Sequence, residues 1–318
     1  MRHSMSVLLT LILGFILFGS NPAWAQAQAT PPAAAEQTAA QPAEEDDDAK
    51  LRPLDPDFTV VNLPTTLPLP MGAGNFHLTH RFVGINWRQD DFRTIAENLF
   101  GFDGPAVIQL EYRIAVMKHL EAVVARTNFG RTIQFSAKLD LFSQSTSNPV
   151  GSPGVVITPA SPTGRRPGPF GLSAIVSVEG QNNFRPTNTS GTDVGYTPAI
   201  GVALSRTLGT VASVYVDPIF AHNTQLVGAA DRRNTFYIGL GARVRIAPST
   251  FVVGEVSPRV SGYKQGDAEM AFALEKRVGG HVFSLVVANT QATTYGQIAA
   301  GANPETLYIG FNLARKFY

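Results

Sequence analysis

Beyond residue 58, apolar and polar side chains alternate in stretches of about ten residues, and no other feature restricts the fold as strongly. In Thr132 to Leu141 one set is Ile133, Phe135, Ala137, Leu139 and Leu141, and the other is Thr132, Gln134, Ser136, Lys138 and Asp140. Phe236 to Ile246 repeats the scheme, with Phe236, Ile238, Leu240, Ala242, Val244 and Ile246 set against Tyr237, Gly239, Gly241, Arg243 and Arg245. A strand sends successive side chains to opposite faces, whereas a helix needs a period of about 3.6, which neither segment has.

Twelve segments obey this rule, at about 74–83, 105–116, 119–127, 131–142, 171–180, 195–206, 210–220, 234–247, 250–260, 267–277, 281–289 and 306–318. Short links follow at 117–118, 207–209, 247–249 and 278–280, and long ones at 84–104, 181–194, 221–233, 261–266 and 290–305. With both termini at one end, these short links fall at that end and the long ones at the other, as in outer-membrane barrels. Two connections break the pattern. Thr127 to Gly130 is short, and Ser143 to Phe170, rich in Pro and Gly, is long, so it is either an insertion or a sign that strands around it are misassigned.

The expectation is an all-β, transmembrane, antiparallel up-and-down β-barrel of about 12 strands. Its lipid face would carry Met270, Phe272 and Leu274 as one stripe and Leu307, Ile309, Phe311, Leu313 and Phe317 as another. Tyr196, Phe220, Phe236, Phe251 and Phe317 would form the interfacial girdles. A soluble secreted β-sandwich gives the same period and is the competing fold.

Composition removes whole classes. The chain has no cysteine, which excludes a disulfide scaffold, a thiol enzyme, a zinc-cysteine module and a lipid-anchored lipoprotein. Met1 to Ala25 has a polar start, an apolar stretch from Val7 to Phe18 and the small-x-small site Ala23-Trp24-Ala25, so it reads as a signal peptide cleaved after Ala25. Residues 26–57, rich in Ala, Pro and acids, read as a disordered periplasmic tether. The barrel domain would be 58–318. Its bases are scattered and no basic helix appears, so nucleic acid is not an expected partner.

Particular residues also resemble a family. Asn62-Leu63-Pro64-Thr65-Thr66-Leu67-Pro68-Leu69-Pro70, Phe76-His77-Leu78-Thr79-His80-Arg81-Phe82, Gly279-Gly280-His281-Val282-Phe283 with Asn289-Thr290-Gln291, and Ile309-Gly310-Phe311-Asn312-Leu313 are similar to the β-barrel family called domain of unknown function 5777. The resemblance implies an outer-membrane barrel of a Gram-negative-type bacterium. It brings no catalytic residue with it.

Strand phase nominates the lumen-facing residues. They are His77, Arg81, Glu111, Arg113, Lys138, Asp140, Arg243, Arg245, Glu255, Arg259, Glu269, Glu275 and Arg277, with Arg243 and Arg245 placed to pair with Glu255. Small inward residues, including Gly201, Gly239, Gly241, Ala271, Ala273 and Gly310, would widen a pore or relieve crowding beside Arg. The six histidines suggest no metal site, since His77 and His80 fall on opposite faces of a strand, and no cofactor is expected. Catalytic motifs are missing, which leaves Asp217, His222 and Asp231 around one outer loop as the candidates for a rim hydrolase. In the first long loop, Asp90 to Phe100 has near-helical spacing and reads as an external amphipathic lid or, as is commoner for such a helix, a segment packed into the barrel mouth.

The functional expectation is a passive channel for small solutes or ions, with mixed charges setting preference. Its alternative is a non-conducting structural or surface-interaction barrel acting through its loops, or a lumen plugged by its own salt bridges. Expected partners are outer-membrane lipid, the barrel-assembly machinery through the C-terminal strand, and a small solute or ion.

Overall fold

The computed structural model describes residues 57–144, 166–181, 196–224 and 231–317. The signal peptide, the tether up to residue 56, most of the 143–170 insertion and loop 182–195 lie outside the described residues. Twelve long strands run as β1 (Gly74–Arg81), β2 (Val107–Met117), β3 (Leu120–Thr127), β4 (Thr132–Gln144), β5 (Gly171–Gln181) and β6 (Thr197–Leu208). They continue as β7 (Ala212–Thr224), β8 (Arg233–Ala247), β9 (Thr250–Ser257), β10 (Glu269–Val278), β11 (His281–Ala288) and β12 (Thr306–Phe317).

Each strand pairs antiparallel with its sequence neighbours, and the sheet closes where β1 meets β12, from Gly74↔Phe317 to Arg81↔Gly310. Closure removes every sheet edge, which is what a spanning β-structure needs in a medium without water to satisfy its backbone. The chain is therefore a closed antiparallel barrel of twelve strands, with an outward face of apolar side chains such as Leu110, Phe135, Ile200, Leu240, Phe272 and Phe283. The two irregular connections are genuine. β4 pairs β5 directly from Thr132↔Gln181 to Phe142↔Leu172, so the long segment between them is an insertion between neighbours.

Two placements differ from expectation. Phe251 does not join a girdle: it is 1% exposed and faces inward, because β9 presents Phe251, Val253 and Glu255 to the lumen in one phase. Helix α1 (Phe92–Glu97) does form, and its N-cap Asp91 accepts from the Thr94 amide at 2.8 Å. That bond from the Thr94 amide holds the Asp91 carboxyl below its ordinary value. But α1 does not enter the barrel mouth. None of its residues is buried, and Phe92 is 77% exposed. The helix that turns inward is α2 (Tyr295–Ala300), in the last long loop, where Gly296 to Ala300 are all buried.

Candidate functional site

The lumen is filled from both ends. From the end that carries Gly74 and Phe317, residues 57–70 run inside the barrel and belong to none of its strand ladders. Phe58, Val60, Val61, Leu63, Leu67 and Leu69 are each 5% exposed or less. Residues 58–65 make a small hairpin, with Val60 N donating to Leu63 O, Thr65 N donating to Phe58 O, and Thr59 bridged to Pro64. This segment is too apolar for a tether and lacks strand alternation, and those two properties together were the signal in the sequence that it belongs elsewhere.

Its main chain is held by acidic and basic side chains of the wall. The Glu255 carboxylate accepts from the amides of Val61 at 2.9 Å, Asn62 at 2.9 Å and Leu63 at 3.1 Å, so three adjacent donors at the hairpin tip converge on one anion. Glu121 accepts from the Leu69 amide at 2.9 Å. Cations take the carbonyls: Lys138 Nζ donates to Thr65 O and Leu67 O, and Arg243 to Thr59 O at 2.9 Å. Asn312 Nδ2 donates to Val61 O at 3.0 Å, and Arg81 to the Asn62 side chain at 3.2 Å. The Phe58 ring lies between three cations, with Arg113 at 5.4 Å, Lys316 at 5.7 Å and Lys138 at 5.8 Å from its centroid.

Several wall charges also pair with one another. Arg113 bridges Glu111 and Glu121, each at 3.0 Å, and Lys138 reaches Glu121 at 3.3 Å and Asp140 at 3.8 Å. Arg243 does not pair across the hairpin with Glu255. It pairs with Glu275 at 3.1 Å, because Glu255 lies opposite Gly241 in the register and its oxygens are taken by hairpin amides. Glu269 accepts from Ser257 at 2.8 Å and from Asn62 Nδ2 at 3.2 Å.

Of the residues nominated by strand phase, His77, Arg81, Glu111, Arg113, Lys138, Asp140, Arg243, Glu255, Glu269 and Glu275 are buried on the inner face. Arg245 and Arg277 are half-buried at the end of the short turns, Arg245 over the Phe251 ring at 5.3 Å. Arg259 sits at the loop end instead, donating to the carbonyls of Tyr263, Gln265, Gly266, Asp267 and Ala300, so it ties loops together. Strand phase alone passed over Glu121, Glu179 and Asn312. Glu121 is in phase with Val123 and Ala125, whose apolar side chains disguised an inner face.

From the loop end, residues 292–302 bring α2 into the mouth. Glu179 accepts from Thr294 Oγ1 at 2.9 Å, Gly296 N at 3.0 Å and Gln134 Nε2 at 3.2 Å, and Thr293 Oγ1 donates to Gln109. Ile298 and Ala299 share one apolar cluster with Val60, Val61 and Leu63 of the hairpin and with Tyr215, Ile219 and Val253 of the wall. The two inserts thus meet in mid-barrel. The small wall residues make the room: a Cβ on Gly239 would lie 2.7 Å from Leu63, and one on Gly241 3.1 Å from Val60. Gly310 does relieve an arginine, since a Cβ there would lie 2.9 Å from the Arg81 side chain, but Gly239 and Gly241 do not. They seat the hairpin.

The hydrolase candidates are not assembled. Asp217 is buried on the inner face of β7 while His222 is exposed on its outer face, and Asp231 pairs with Arg233. His77 is buried inside, and His80 stacks outside on Phe311 with ring centroids 4.9 Å apart.

A family described as a membrane-bound beta barrel domain, domain of unknown function 5777, matches residues 57–317. No curated protein matches the chain. Among solved structures, the KdgM porin in complex with disordered oligogalacturonate is similar at a TM-score of 0.44 and 8% identity, over 76% of this chain and 99% of that one. The COG4313 outer membrane channel from Pseudomonas putida F1 is similar at 0.44 and 13% identity, over 79% and 97%. Outer membrane phospholipase A from Escherichia coli is similar at 0.41 and 10% identity, over 76% and 89%. Similarity at that level carries no information on activity.

Proposed function

We propose a function from one premise: the chain belongs to the domain of unknown function 5777 family of membrane-bound β-barrels. The barrel is a passage for small polar solutes or ions that residues 57–70 hold shut. It lies in the outer membrane, its strands against lipid, its signal peptide removed after Ala25 and its last strand presented to the assembly machinery. What carries the reading is that a polypeptide segment outside every strand ladder fills the lumen and is bound through hydrogen bonds to ionised wall residues. The hairpin also packs Val60, Val61 and Leu63 in an apolar cluster, but its main chain is bound to charged wall groups that water can satisfy once it leaves. Here, withdrawal of the hairpin exposes charged side chains, and water must enter with it, because Glu255 without its amides or water would cost several kcal/mol. Opening and flooding are one event.

Planar-bilayer recording tests this with the chain from Gln26 and with a full-length Val60→Asp, Leu63→Asp variant, which puts two carboxylates into the apolar cluster and drives the hairpin out. The native chain is expected to be silent or to open rarely, and the variant to show stable steps. A variant that folds, exposes its hairpin to protease and still does not conduct would overturn the proposal. A second reading, a barrel acting through its outer surface, draws on the exposed Trp87, Phe92 and Leu99 of the first long loop. It predicts silence in both chains.

A further inference from the structure

The hairpin's mode of attachment says what else the lumen can hold. Most of its polar contacts with the wall go to main-chain atoms and few go to its side chains. Acids meet N–H groups, as Glu255 does at Val61, Asn62 and Leu63 and Glu121 at Leu69. Bases and an amide meet carbonyls, as Lys138 does at Thr65 and Leu67, Arg243 at Thr59 and Asn312 at Val61. A wall selected only for neutrality could pair its charges internally, as Arg113 does with Glu111 and Glu121. Glu255, and Lys138 alongside its own ion pairs, present opposite charges to the two kinds of backbone group.

We infer that the groove filled by residues 59–69 is a binding site for short peptides, recognised through their main chain, and that the hairpin is its built-in occupant. The inference rests on the proposal that the hairpin can leave. Backbone recognition is independent of sequence in its polar part, as in other modes where main-chain bonds give affinity and side-chain pockets give choice. The side-chain preference is readable from the seats. An aromatic residue goes between the three cations around Phe58, and aliphatic residues follow where Gly241 faces Val60 and Gly239 faces Leu63. Proline suits positions such as Pro64 and Pro68, because it has no N–H that the wall must satisfy. A polyanion would meet Glu255 and Glu269, and a polycation Arg243 and Lys138, so an uncharged main chain fits the mixed wall better than either.

Titration calorimetry in detergent micelles tests this without any conductance. The cell holds the full-length Val60→Asp, Leu63→Asp chain, whose wall is intact, with the 57–70 deletion as a second preparation should the first fail to fold. The probe is a synthetic peptide of the sequence Asp57 to Pro70, beside the same peptide N-methylated at the Val61, Asn62 and Leu63 positions. The parent peptide is expected to bind both opened chains and to ignore the native chain, whose site is occupied. N-methylation, which removes the three donors to Glu255, is expected to weaken binding by about a hundredfold or more, and Glu255→Gln in the wall by about tenfold, at roughly 1.4 kcal/mol per decade.

Equal binding of the N-methylated peptide, equal binding by the native chain, or no binding of the parent to either opened chain would overturn the inference. The two proposals fail separately. An opened barrel that conducts but takes no peptide keeps the channel and loses the peptide site, and one that binds peptide but never conducts does the reverse.

Discussion

The two inserts that fill this barrel are held by different chemistry. The hairpin of residues 57–70 is fixed by charges on its backbone, with Glu255, Glu121, Lys138 and Arg243 reaching main-chain atoms. The insert carrying α2 shares the apolar cluster with the hairpin through Ile298 and Ala299, but among the described residues fewer charges reach it, Glu179 at Thr294 and Gly296 and Arg259 at Ala300. Apolar packing is common to both inserts and does not separate them; what differs is how many wall charges bind each main chain. Backbone bonds to ionised wall groups exchange readily for bonds to water or to another peptide. The difference makes the hairpin the exchangeable part and α2 the fixed one.

The largest expected effect comes from removing the hairpin's seat without touching the hairpin. Gly239→Leu places a side chain where Leu63 now lies, and overpacking of about 1–3 kcal/mol shifts the open fraction by roughly ten- to a hundredfold. Because the chain has no cysteine, a single Val61→Cys, which keeps Leu63 in place, reports this directly: a water-soluble maleimide should label it slowly in the native background and much faster with Gly239→Leu. Equal labelling rates would mean that the seat does not hold the tip.

Glu179→Ala sharpens the contrast from the other side. It strips Thr294, Gly296 and Gln134 of their shared acceptor, at about 1–3 kcal/mol. Amide exchange across 292–302 should rise by about tenfold or more while conductance stays silent, since the hairpin still closes the barrel. Conduction in this variant would make the loop-end insert the gate and reverse the comparison.

The smallest effect is expected at α1, which belongs to neither insert. Asp91→Ala should fray that helix and change neither labelling nor conductance. Its pH dependence has a definite sign. The folded carboxyl titrates below its unfolded value of about 3.9, so its contribution is present above that pH and lost as pH falls through the lower folded value. Proton exchange at the Thr94 amide between pH 2 and 5 would follow it, and a change in conductance over the same window would tie α1 to the gate.

Strand alternation carried the barrel, its even strand number and the inward phase of Lys138, Arg243 and Glu255, because a period of two is a local property that each segment writes independently. The same rule puts Phe251 inside, in phase with Glu255; it is the separate expectation that an aromatic near a strand end joins a girdle that misplaces it. Strand phase could not reveal that Arg243 pairs with Glu275 while Glu255 binds amides 192 to 194 positions away.

Residues 57–70 are the plainest case. Their apolar composition forbade a free tether, and their lack of alternation forbade a strand, yet where they go depends on a cavity that exists only once twelve strands have closed. Patterning within a segment is set by neighbours along the chain, so it is legible there. Which charge meets which backbone atom is set by closure of the whole sheet, and only the tertiary structure brings Gly239 under Leu63 and Glu255 under three consecutive amides.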